Sequence, residues 1–502
     1  MAQRTVAVIA ATALAALTLG PVAAVLVRAE GLAALGPGDW QALRFTVCQA
    51  LLSALFACIL AVPVARALAR RRFAGRGFLI ALLGAPFILP VIVAVMGLLA
   101  VFGQNGLLNG ALSALGLPRL DIYGLHGVVL AHVFFNLPLA TRILLQGWLA
   151  IPAERLRLAA SLGLTPRARF MVLEAPLILR LLPGAFAVIF VICLTSFAVA
   201  LTLGGGPRAT TVELAIYQAV RFDFDLGRAA ALALMQLALG LGAGLVAWRL
   251  AQGAGFGAGL DRALPLTVAH GRACDTAWLV AAAGFLLLPL GLVVWRGLPG
   301  LAQLGPQTWA AAGHSVLLAL ASTALCLSWT LALAGARGAL WSLMAIAISP
   351  LVLGTGLFLM LRPFVNPFSM ALPVTALVNA LMALPFALRI VAPEVEAIRA
   401  DYGRLRATLR LTPMAWLRLV LLPRLRRPLG FAGGLVAALA MGDLGVIALF
   451  ADPERATLPL QVYRLMGAYR MEAAAGAALL LLVLSFGLFW AFDRGGRAGA
   501  AA

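Results

Sequence analysis

The sequence predicts an all-α membrane protein whose twelve transmembrane helices form two parallel six-helix repeats. Three observations predict it. The 502 residues are 63% hydrophobic with a mean hydropathy of +1.03, and only 11% are charged, where a soluble domain carries about 25%. Twelve apolar runs approach the ~20 residues that a bilayer-spanning helix needs. A block of sequence returns once, in register, across the middle of the chain.

The runs lie near 6–27, 46–67, 77–102, 123–148, 182–204, 227–249, 276–297, 313–335, 339–362, 369–391, 428–450 and 472–492. The first follows Arg4 and is rich in Ala, which also fits a signal peptide. Its length, the lack of a clear cleavage site and its counterpart in the second half favour a retained helix. All 38 basic residues are Arg, and against 18 acidic residues they give a net charge of +20. Most of them fall on one side of the twelve runs, the clearest cluster being Arg70, Arg71, Arg72 and Arg76. Basic loops stay in the cytoplasm, so the sequence predicts a multi-pass protein with both termini cytoplasmic. Apolar segments separate the arginines, so nucleic acid is not an expected partner. The absence of Lys argues against a phosphate-cradling Walker loop. The five cysteines form no CxxC pair and read as packing residues.

The internal repeat sets the organisation. Leu162-Gly163-Leu164-Thr165-Pro166 returns as Leu409-Arg410-Leu411-Thr412-Pro413, 247 residues later. The same offset relates Pro138 to Pro385, Arg142 to Arg389, Pro176 to Pro423 and Val199 to Val446, and Thr211 and Tyr217 recur as Thr457 and Tyr463. Two halves follow, 1–250 and 276–502, joined by a cytoplasmic linker at 251–275. Six spans per half make the repeats parallel, related by an axis along the membrane normal.

Two loops, 149–181 and 392–427, occupy equivalent places between the fourth and fifth helices of each half. Ile151, Leu158, Ala159 and Leu162 recur at helical spacing. Gly163 is a stop, and Thr165-Pro166 starts a second helix with a cap followed by Pro. The second loop repeats the layout with Ile398, Tyr402, Leu405 and Leu409, then Thr412-Pro413. Amphipathic helices lying on lipid would also give this pattern. Two copies in equivalent positions favour docking of two copies of a partner.

The pattern Ala159-Ala160, Gly163 and Pro176 resembles the cytoplasmic signature of ABC importer permeases. The resemblance implies the type I permease fold, with each loop forming a coupling helix seated in a cleft of a separate ATPase subunit. The family's usual Glu before the Ala pair is Leu158 here, with Glu154 one turn earlier. The second loop departs further: Arg406-Ala407 stands for Ala-Ala, Arg410 stands for Gly, and Asp401 occupies the place of Glu154. Thr412, Pro413 and Pro423 keep the register. Fused permeases of this kind are typical of the ferric-iron and thiamine branches. Thr195-Ser196-Phe197-Ala198, Leu203-Gly204-Gly205-Gly206-Pro207-Arg208, Ile216-Tyr217-Gln218 and His132-Val133-Phe134-Phe135-Asn136-Leu137-Pro138 are most similar to the thiamine branch. The implied partners are two ATPase copies, which carry ATP and Mg, a periplasmic substrate-binding protein, the lipid bilayer of the bacterial inner membrane and a small-molecule substrate. No cofactor or metal is expected on this chain, and no catalytic residue.

Polar groups at bilayer depth are functional candidates by default. Asp443, in the eleventh run, is the repeat partner of Ser196 and is a candidate to attract a cationic thiazolium ring; an outer-interface or helix–helix role is its alternative. His132 and Asn136 stand one turn apart, facing either the pathway or a neighbouring helix. Phe197 is a candidate for stacking on an aromatic substrate. Pro90, Pro138, Pro350 and Pro385 fall inside runs, where each removes a backbone donor and bends its helix. A ferric-iron importer and a twelve-helix secondary transporter are the two rival readings. An enzyme fits poorly, since no HExxH, GxSxG or carboxylate pair in a suitable site is present.

Overall fold

The computed structural model describes residues 2–31, 34–84, 88–250, 272–334, 348–450 and 454–498. Every described element is helical, and among the described residues eleven helices are long and apolar enough to cross a membrane, with Pro350–Leu361 a shorter apolar helix beside them. The chain is a multi-pass membrane protein. Most of the predicted linker, 251–271, and most of the segment preceding Pro350 lie outside the described residues. Residues 272–275, assigned to the linker, instead form the first turn of a helix.

In chain order the first part comprises α1 (Ala2–Arg28), α2 (Pro37–Arg70), α3 (Arg76–Leu82), α4 (Val91–Phe102), α5 (Leu107–Ala114), α6 (Leu125–Leu149), α7 (Ala153–Ser161), α8 (Pro166–Arg169), α9 (Ala175–Leu194), α10 (Ala198–Leu203), α11 (Val212–Arg221) and α12 (Leu226–Leu250). The second comprises α13 (Arg272–Gly300), α14 (Pro306–Leu333), α15 (Pro350–Leu361), α16 (Ala371–Thr408), α17 (Pro413–Trp416), α18 (Leu422–Met441), α19 (Gly445–Phe450), α20 (Leu458–Gly467) and α21 (Met471–Ala498).

The first helix of each part packs on the other part. α1 lies along α15, and α13 lies along α4. Both contacts run backbone against backbone at a Gly–Pro crossing. A Cβ on Gly97 of α4 would sit 2.7 Å from the Pro289 carbonyl oxygen of α13, and one on Gly356 of α15 would collide with the Pro21 carbonyl of α1. Small residues at such crossings let membrane helices approach until dispersion contacts hold them, since lipid supplies no hydrophobic drive between helices.

Several runs read as single spans are interrupted. The fifth ends as α9 at Leu194, turns at Thr195–Phe197 and resumes as α10; the eleventh ends as α18 at Met441, turns at Gly442–Leu444 and resumes as α19. The third divides into α3 and α4. Pro90 is the N-cap of α4 and Pro350 the first residue of α15, so both start helices rather than bending them. Proline suits that place because the first amide of a helix has no intrahelical acceptor to lose. Pro138 and Pro385 do lie inside α6 and α16.

The two long loops also differ from each other. In the first, α6 stops and Pro152 sets the start of α7. In the second, α16 runs unbroken for 38 residues, from the span to Thr408. The position matching Pro152 is Arg399, which keeps its amide and lets the helix continue.

Candidate functional site

The two polar loops share local geometry residue by residue. α7 ends in a left-handed Gly163 at φ +62°, with Leu164 N–H donating to the Ala159 carbonyl at 3.1 Å and Gly163 N–H to the Ala160 carbonyl at 3.1 Å. This double bond is the Schellman closure. α16 ends the same way, Arg410 taking φ +48°, with Leu411 donating to Arg406 at 3.1 Å and Arg410 to Ala407 at 3.3 Å. Arg410 therefore occupies a conformation that glycine adopts at no steric cost. Thr165 and Thr412 each accept from the amide three residues on, at 3.2 Å, and Pro166 and Pro413 follow as first helical residues. A π-turn comes next in each loop, Phe170–Glu174 and Leu417–Leu421. Pro176 and Pro423 cannot donate to the turn behind them, and the wider turn passes that register shift along the helix.

The outer surfaces of these loops carry apolar side chains in the open. Leu158, Leu162 and Val172 are exposed, and so are their counterparts Leu405, Leu409 and Leu419. Glu154, Ala160, Asp401 and Ala407 are exposed as well, while Ala159 is buried. The bases differ. Arg66 of α2 pairs with Glu174 at 2.6 Å and lies 4.8 Å over the Phe170 ring. The second loop is held by Arg406 over the buried Trp416 at 5.4 Å and Arg424 over Tyr402 at 3.9 Å.

The helix breaks form the second candidate region. A buried helix end needs partners for its freed carbonyls. At Thr195–Phe197 these come from two glutamines: Gln49 of α2 donates to the Cys193 carbonyl and Gln236 of α12 to the Leu194 carbonyl, both at 2.9 Å. His132 joins the same region, with Nε2 2.7 Å from Ser196 Oγ and Nδ1 3.2 Å from Ser53 Oγ. Asn136 donates to the His132 carbonyl at 2.8 Å. Ser196, His132 and Asn136 are thus brought together, in a network that braces the break.

Phe197 and Asp443 both adjoin Gly445. The Phe197 ring stands edge-on to Tyr217, 5.3 Å between centroids. Both Phe197 Cδ1 (3.7 Å) and Asp443 Oδ1 (3.8 Å) adjoin the place a Cβ would take on Gly445. The backbone at Gly442 approaches Pro90, whose Cα lies 3.1 Å from an added Cβ. The two breaks therefore face each other between the two parts of the chain. Asp443 faces the amides of Gly445, Val446 and Ile447 at the start of α19, and its buried Oδ2 finds no partner among the described residues.

One carboxylate escaped the sequence reading. Glu213 of α11 is fully buried, and neither oxygen has a hydrogen-bond partner among the described residues. Its polar neighbours are Ser349, which caps α15, and Gln236. Burial pushes its carboxyl up to about 8, because a low-dielectric surrounding disfavours the charged form. The signal available in the sequence was Thr211 with Glu213 two residues on, the acidic first turn of a capped helix.

The chain resembles several characterised transport proteins over most of its length. It is 41% identical over 475 residues to the thiamine transport system permease protein ThiP of Brucella abortus, covering 91% of this chain and 87% of that one. The protein of the same name from Escherichia coli is 41% identical over 477 residues, covering 91% and 89%. The chain belongs to the thiamine transport permease family. The Haemophilus influenzae member is 34% identical over 486 residues. A molybdenum transport system permease, ModB of Azotobacter vinelandii, is 30% identical over 184 residues, which is 81% of that permease and 36% of this chain. No protein-family model matches the chain. The family relation makes this chain a permease subunit of the ABC importer class.

Proposed function

We propose that this permease forms the whole transmembrane pathway for thiamine or its phosphate esters in an ATP-driven importer of the bacterial inner membrane. The observation that carries the reading is the identity to thiamine permeases across nine-tenths of the chain. The chain itself does no covalent chemistry; ATP and Mg belong to a separate ATPase. Both termini are cytoplasmic, and two type I halves, 1–250 and 276–502, lie in one polypeptide. Support for two halves comes from the shared loop geometry, the reciprocal Gly–Pro crossings, and a relative that nearly fills its own length with about a third of this chain.

Loops 149–181 and 392–427 each receive one ATPase copy. Their exposed leucines at matching positions supply apolar anchors of the kind that dominate docking interfaces, and the capped ends hold them in fixed register. ATP binding draws the two loops together, and the breaks between the halves transmit that movement to the pathway, which opens toward a periplasmic binding protein. Phe197 and Asp443, which both adjoin Gly445, lie where the halves join. The thiamine named by the relatives disfavours ferric iron, and membership of this permease family disfavours a secondary transporter.

Capture of the ATPase tests the docking. Purified permease should retain it, and Gly163→Glu should lose most of it, since a bulky acidic side chain then stands at a left-handed position on the docking surface. Retention of the ATPase by a double variant, Gly163→Glu with Leu409→Glu, would contradict the assignment of both loops.

A further inference from the structure

The two breaks carry unequal polar chemistry. The 247-residue register that relates Ser196 to Asp443 also relates His132 to Asn379. In the first half the pair is closed, with His132 hydrogen-bonded to both Ser196 and Ser53. In the second half it is open. Asn379 of α16 is 8% exposed, and its Nδ2 has no partner among the described residues; Asp443 Oδ2 is equally unpartnered. Ser322 of α14 donates its hydroxyl to the Leu318 carbonyl at 2.8 Å. A buried amide donor and a buried carboxylate oxygen left unmade are costly, and the same register in the first half shows that side chains can close them.

We propose that Asn379 and Asp443 are the substrate-reading pair of the pathway, specific for a cationic, amine-bearing nitrogen heterocycle, and that the equivalent polar pair of the first half, His132 and Ser196, is locked. The inference rests on the thiamine reading above and deepens it. The chemistry matches in kind. A carboxylate oxygen accepts from an exocyclic amine and balances a ring cation. An amide N–H donates to a ring nitrogen. The Phe197 ring, whose Cδ1 adjoins the same place beside Gly445 as the carboxylate, supplies the aromatic neighbour that a ring cation favours.

The test uses the complete permease with its ATPase and thiamine-loaded binding protein in proteoliposomes, reading initial rates of labelled thiamine uptake. Asp443→Asn retains the oxygen that caps α19 and removes the charge; it should lower uptake at least about tenfold, the effect of losing a charged hydrogen bond. Asn379→Asp combined with Asp443→Asn moves the carboxylate to the other member of the proposed pair, and should restore uptake to within about threefold of the parent, because a ligand held between the two residues meets the same pair. Uptake by Asp443→Asn at the parental rate would overturn the inference. So would loss that the swap does not restore, which is the behaviour of a structural cap. A parent complex that moves no thiamine overturns the functional reading itself, and that outcome is distinct from the other two.

Discussion

Residue by residue, the buried polar groups give the sharpest expectations. Glu213 has its folded-state carboxyl raised from 4.5 to about 8, so the fold favours the protonated form. Its contribution to stability is therefore complete below about pH 4.5 and is lost as pH rises through 8. Thermal unfolding of the detergent-solubilised permease should shift to lower temperature across that window, and Glu213→Gln should flatten the dependence. An unchanged pH slope in that variant would show that Glu213 is not its source. Gly163 and Arg410 make a matched pair. Arg410→Gly relieves a left-handed conformation that costs a non-glycine residue about 1 kcal/mol, and should raise the unfolding temperature. Gly163→Ala imposes the same strain and should lower it. Calorimetry of the two variants checks the opposite signs.

At the level of elements, the Gly–Pro crossings hold the first helix of each part on the other. Gly97→Leu or Gly356→Leu forces a side chain into a backbone contact, and overpacking of this sort costs about 1–3 kcal/mol. Each variant should fold less stably, and a cysteine cross-link between α1 and α15 should weaken in Gly356→Leu while one between α4 and α13 is unaffected. The apolar runs and the two capped loops were legible in the sequence, because length and Thr-Pro capping are local signals. The breaks at Thr195–Phe197 and Gly442–Leu444 were not. Hydropathy averages over about twenty residues, and a three-residue turn vanishes in that average when distant Gln49 and Gln236 satisfy its carbonyls. The same blindness merged α3 with α4. Ser196, Phe197, His132, Asn136 and Asp443 were all visible as polar or aromatic residues at depth. Their grouping was not, since it depends on packing between helices far apart in sequence. The continuous α16 had a readable cause, Arg399 in place of Pro152, but the strength of the loop repeat outweighed it.

For the whole molecule, the proposed function is that of a single-polypeptide pathway whose two halves do unequal work. One break is braced internally by His132, Ser53 and Ser196; the other leaves Asn379 Nδ2 and Asp443 Oδ2 without a partner among the described residues. One loop rests on an Arg66–Glu174 ion pair, the other on arginine–aromatic contacts. Both loops nevertheless present leucines at matching positions, which fits the proposed docking of two identical ATPase copies. The most direct measurement is uptake of labelled thiamine by cells with and without this chain, in the presence of the ATPase and binding protein, with ATP-depleted cells as control. The account predicts uptake that needs both the chain and ATP. Uptake that survives ATP depletion but collapses with the proton gradient, or that does not depend on the chain, would contradict it.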